Sequence, residues 1–131
     1  SVLGEDRMSI PVMSMRIRLY GQAKYHEALE SVSKYVAEQD PNNPLGWINW
    51  AKALRFQDKF KEAKEVALKA LELHPENAVL WFNLACFHSL LNETDEASEC
   101  INKAIKIDKA FQQQSVDDPD LENFWNSMQS S

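Results

Sequence analysis

The sequence predicts an all-α fold built as a stack of helix pairs, and three observations carry that prediction. First, an apolar pattern repeats at an interval of 34 residues. Trp47, Ala51 and Leu54 are followed by Ala63, Ala67, Ala70 and Pro75; Trp81 and Ala85 are followed by Ala97, Ile101 and Ala104. Asn49 and Asn83, and Lys69 and Lys103, keep the same interval. A mixed large and small apolar pattern at that period is the mark of stacked helical hairpins. Second, apolar side chains recur with helical spacing nearly throughout. Third, 131 residues include only 3 Gly and 5 Pro, which leaves room for short turns and little else.

Seven helices follow in order. The first runs from about Pro11 to Gln22, with Ser9 as N-cap and a proline in the first turn, where its missing N–H costs little. The second spans about Lys24 to Glu38 and is stopped by Asp40-Pro41-Asn42-Asn43-Pro44, because a residue before proline avoids helical angles. The third spans Leu45 to Gln57. The fourth runs from Phe60 to Leu73 and ends at His74-Pro75. The fifth spans Ala78 to Leu91. The sixth starts after Asn92 and Thr94 and runs to Lys109 or beyond. The seventh follows Asp117-Asp118-Pro119, an N-cap with proline just inside. There Leu121, Phe124, Trp125 and Met128 fall at i, i+3, i+4 and i+7, one apolar stripe.

Composition narrows the function. The chain is 44% hydrophobic and 26% charged, a globular balance. Its net charge is −6, and residues 78–131 hold 3 of the 14 basic and 9 of the 20 acidic side chains. That acidic third repels phosphate backbones, which argues against nucleic acid as partner. No apolar run reaches the roughly 18 residues of a membrane span, and no secretory leader is recognisable. With 2 cysteines there is no disulfide framework, so a reducing, cytoplasmic setting is expected. The start at Ser1 rather than Met fits a piece of a longer protein.

The pattern resembles the tetratricopeptide repeat, a 34-residue helix–turn–helix unit with small residues at fixed positions and proline near its end. Residues 44–77 match through Trp47, Trp50, Ala51, Leu54, Phe60, Ala63, Ala67, Ala70 and Pro75. Residues 78–111 match through Trp81, Leu84, Ala85, Ala97, Ile101 and Ala104, but Lys109 replaces the proline and Thr94 the usual aromatic. Residues 9–43 form a degenerate first repeat: Val12, Met15, Leu19, Tyr25, Ala28, Val32 and Tyr35 fit, Arg16 stands where a small residue belongs, and one extra residue is needed. The resemblance implies one domain over residues 1–131, a right-handed α-solenoid of about three repeats closed by a capping helix at 117–128. Trp47 should pack on the second helix and Trp81 on the fourth. Truncating either would cost roughly 3–5 kcal/mol.

In such a fold the first helix of each repeat lines a concave groove. The register places Met13 and Ile17 there from repeat one; Leu45, Ile48, Asn49, Lys52 and Arg55 from repeat two; and Val79, Phe82, Asn83, Cys86 and Ser89 from repeat three. An apolar strip with two basic side chains and two amides suits a peptide or a helical segment of another protein. Asn49 and Asn83 can bond an extended backbone, because an amide both donates and accepts. A clamp for a terminal carboxylate needs more polar residues than Met13, Ile17, Val79 and Phe82 allow. The implied role is a protein-interaction module, as scaffold, adaptor or co-chaperone-like factor. The alternative is self-association as a homo-oligomer or docking within a larger protein. Either the seventh helix or the N-terminal tail could instead fill the groove.

Catalysis and metal binding are not expected. His26, His74 and His88 lie in three different hairpins; His74 reads as turn surface and His88 as a packed, satisfied histidine. Cys86, His88 and Cys100 superficially suggest metal ligands, but residues two apart on a helix diverge and zinc wants four convergent ligands. Cys86 has no base at a recognisable spacing. Asp117, Asp118 and Asp120 lack the glycine and glutamate of a calcium loop and suit a helix N-terminus. No phosphate loop exists. No cofactor is expected.

Overall fold

The computed structural model describes the backbone of residues 10–129 and the side chains of residues 22–129. Those residues form α1 (Ile10–Gln39), α2 (Pro44–Phe56), α3 (Phe60–Leu73), α4 (Ala78–Leu90), α5 (Thr94–Ile107), α6 (Phe111–Asp117), a 3-10 turn (Pro119–Leu121) and α7 (Glu122–Gln129). There is no strand among them. The fold is an all-α solenoid in which α2 pairs with α3 and α4 with α5.

Each hairpin is built by the same local chemistry, offset by 34 residues. Asn43 and Asn77 cap α2 and α4, their side-chain oxygens accepting from Leu45 N at 3.0 Å and Leu80 N at 3.1 Å. Trp47 Nε1 donates to the Pro41 carbonyl at 3.0 Å, and Trp81 Nε1 donates to the Pro75 carbonyl at 2.7 Å. Both hairpin turns pass through a left-handed residue, Asp58 at φ 60° and Asn92 at φ 62°. Asp and Asn tolerate that region best after glycine. The next amide then bonds back into the helix, Lys59 N to Leu54 O at 2.9 Å and Glu93 N to His88 O at 2.8 Å.

Small residues let the helices approach. Ala51, Ala63, Ala67, Ala70, Ala85, Ala97 and Ala104 are all completely buried in one core cluster running from Ala37 of α1 to Phe124 of α7. Gly46 of α2 sits tightest. A Cβ there would lie 2.9 Å from Ala37 N and 3.0 Å from a Val36 methyl. Trp47 is buried in that cluster and stacks on Trp50 with ring centroids 5.8 Å apart. Trp81 is only half-buried, with Lys103 Nζ 5.1 Å from its ring centre.

Three expectations are corrected. The first two helices are one 30-residue helix, α1, so residues 9–43 do not form a hairpin. Gly21 costs a helix about 1 kcal/mol but cannot stop it without a proline or cap beside it. The sixth helix does not run past Lys109. It ends at Ile107, where Asp108 Oδ1 accepts from Ala110 N at 3.0 Å and makes the turn that proline makes elsewhere. An unforeseen helix, α6, follows before the break at Asp118-Pro119. And His74 is no surface filler: its Nε2 lies 2.8 Å from the Pro41 carbonyl, tying the end of α3 to the loop before α2.

Candidate functional site: the groove between α2 and α4

The concave side holds a cavity of about 570 Å³ between α2, α4 and the segment that follows α5. One wall comes from Ile48, Lys52 and Arg55, which stack on one face of α2 at helical spacing. The opposite wall is Val79, Asn83 and Cys86 of α4. Seven of the twelve groove residues read from the sequence thus converge, because Phe82 also lines the cavity. Leu45, 61% exposed, and the exposed Asn49 lie on α2 outside it. Met13 and Ile17 fall outside the residues whose side chains are described.

The third wall was not foreseen. Phe111 and Gln114 of α6, with Asp118, Pro119 and Asp120, close the C-terminal side. Phe82, expected to be an open groove residue, is 2% exposed and stacks on Phe111 with centroids 4.9 Å apart. Arg55 is not free either. Its Nε lies 2.8 Å from Asp120 Oδ2, and Nη2 bonds Oδ1, a two-point pairing across 65 residues of sequence. Those hydrogen bonds raise the guanidinium pKa despite partial burial. Ser89 is fully buried, and its hydroxyl accepts from Phe124 N at 3.2 Å. The opposite charges of Arg55 and Asp120 were visible in the sequence; the bend at Asp118-Pro119 that brings them together was not.

The open part of the cavity is apolar with a few polar points. Lys52 is exposed at its rim and Asn83 half-buried in its wall. Among the described residues, neither these two nor Asn49 has a hydrogen-bond or ion-pair partner. The arrangement binds rather than reacts. Burial, followed by the charges of Asp118 and Asp120, pushes the Cys86 thiol pKa far up, so the nucleophilic thiolate is disfavoured. Burial also pushes Cys100 up to about 12. Cys86, Asp118 and Asp120 lie close enough to share an ion. Yet Asp120 is held by Arg55, Asp118 accepts from Asp120 N at 2.9 Å, and the thiol is protonated, a poor donor set for a metal. His88 is buried with Nδ1 2.8 Å from Glu93 Oε1, and Glu93 also meets Lys64 at 3.1 Å. His88 and Lys64 together hold the Glu93 carboxyl below its ordinary range.

Fold and groove define a class: an α-solenoid of 34-residue helical hairpins with a concave binding face. Profiles described as tetratricopeptide repeat match residues 46–77 and 66–97. The chain belongs to the tetratricopeptide-repeat family. It is 39% identical over 61 residues to a TPR repeat-containing protein, MJ1428, of Methanocaldococcus jannaschii, covering 47% of this chain and 11% of that protein. It is 34% identical over 82 residues to the human protein O-mannosyl-transferase TMTC3, covering 62% of this chain and 9% of that protein. The chain therefore spans about a tenth of the length of these relatives. Repeats of this family generally mediate protein–protein interaction and are generally non-catalytic. No helix among the described residues is long and apolar enough to cross a membrane.

Proposed function

We propose that the protein is a non-catalytic interaction module that takes a peptide or helical segment of a partner protein into the groove between α2 and α4, in a scaffold or adaptor role. The observation that carries this reading is the cavity itself, about 570 Å³ with an apolar floor and, at its edge, Lys52 and Asn83, which have no side-chain partner among the described residues. Apolar pockets with a few convergent polar groups are where ligands seat. An apolar side chain of the partner would rest on Ile48, Val79 and Phe82, while Asn83 and Lys52 bond its backbone or a carboxylate. A surface of this size supports roughly micromolar affinity, about −8 kcal/mol. In this reading residues 44–77 and 78–111 are the working repeats of a single domain, and the segment around 117–128 is its cap.

The test is capture from a lysate of the source organism by the native protein, beside a Lys52→Glu/Asn83→Ala variant shown by circular dichroism to be folded. A partner held only by the native groove supports the reading. Equal capture by both moves the binding surface elsewhere. A second reading, docking within a larger protein, is favoured by one observation: the chain's own Asp120 already occupies Arg55. It predicts that added peptides are refused until residues 118–124 are displaced.

A further inference from the structure

α1 carries an apolar face that its counterparts in the other hairpins do not leave open. Val32 and Val36 are 60% and 37% exposed. The residues 34 positions on, Val66 and Ala70, are 5% and 0% exposed, and those 68 on, Cys100 and Ala104, are 5% and 0%. The register of this comparison is set by the structure, since Glu30 pairs with Lys59 as Lys64 pairs with Glu93. In α3 and α5 these positions are buried in the core cluster, and a preceding helix completes each hairpin. In α1 the residues that would form that helix, 10–20, continue straight on, and a straight helix cannot fold back over itself. Tyr25, 61% exposed, lies on the same helical face two turns before Val32.

We propose that this stripe is covered by residues 10–20 of a second copy, in a two-fold dimer in which the first hairpin of each chain is completed by exchange. Exchange of an identical element is a low-cost route to a closed dimer. In the antiparallel register of α2 on α3, the dyad passes near Gln22 and Ala23, beside Gly21, where the lack of a side chain lets two helices cross. Charge agrees with this pairing. Residues 10–20 carry Arg16 and Arg18 and no acid, whereas residues 24–40 carry Glu27, Glu30, Glu38 and Asp40 against Lys24 and Lys34. The sequence of the exchanged segment, with Val12, Met15 and Leu19, is the apolar one that the resemblance assigns to a first-repeat helix.

Sedimentation equilibrium of the full chain between micromolar and millimolar concentration decides the matter. The expected mass at high concentration is twice 15.1 kDa. Val32→Glu, at a site already open to water, should weaken the dimer about tenfold or more while circular dichroism stays unchanged. A flexible four-residue insertion after Gly21 should turn the dimer into a monomer, by letting each segment fold onto its own stripe. A single-chain mass at every concentration overturns the proposal. So does a dimer indifferent to Val32→Glu, or one that survives the insertion.

Discussion

Gly46 is the residue on which the packing of α2 against α1 turns. An added Cβ would meet the backbone of Ala37, which cannot rotate away. Gly46→Ala should therefore destabilise by about 1–3 kcal/mol despite alanine's better helix propensity, read as a fall in the urea midpoint at constant slope. Arg55 sets the other end of the groove. Arg55→Met removes a two-point pairing that is only partly open to water and should cost about 1–2 kcal/mol. Its particular signature is faster amide exchange at residues 119–124 with α2 and α3 unchanged. Glu93 gives a pH dependence whose sign is definite. Its pKa is lowered in the folded protein by hydrogen bonds from His88 and Lys64. The stability it contributes is thus present above the ordinary carboxylate value of about 4.3 and lost as pH falls through the lower folded value. Glu93→Gln should lower stability by a constant amount above about pH 6 and flatten the acid limb below about pH 4, where the two curves converge.

Among the elements, the two repeat-defining tryptophans are not equivalent. Trp47 is 9% exposed, and Trp47→Ala should cost about 3–5 kcal/mol. Trp81 is half-buried, and Trp81→Ala should cost about 1–3 kcal/mol, with part of the loss coming from Lys103. Denaturant unfolding of both variants ranks them directly. The helices α2 to α5 were legible from the sequence because apolar period, caps and prolines agree at each boundary. Asn43 and Asn77 do what their positions promise. The misread elements are those where a single weak signal stood alone. The break read between Gln22 and Lys24 had no cap or proline to support it, and the helix runs through. Lys109 in place of proline suggested a longer helix, but the side chain of Asp108 makes the turn. A local side-chain hydrogen bond of that kind leaves no periodic trace.

Across the whole molecule the same hairpin is used twice with its interface charges exchanged. Glu30 faces Lys59 where α1 meets the α2–α3 hairpin, and Lys64 faces Glu93 at the next junction. Exposed pairs of this kind add little stability, about 0–1 kcal/mol. They set order: the third repeat stacked directly on α1 would place Glu93 against Glu30. The groove was half legible for a related reason. Its α2 and α4 walls follow from repeat register alone, whereas the Phe111 and Asp120 wall depends on where a seven-residue helix and a proline bend send the chain. No spacing rule encodes that path. The central claim is that the remaining cavity receives a segment of another protein. Selection of displayed peptides on the native protein, with counter-selection on folded Lys52→Glu/Asn83→Ala, measures it most directly. The account predicts a recurring apolar anchor, affinity of about 1 μM to 100 μM by titration, and loss in the variant. Peptides that bind both forms equally, or none at all, would contradict it.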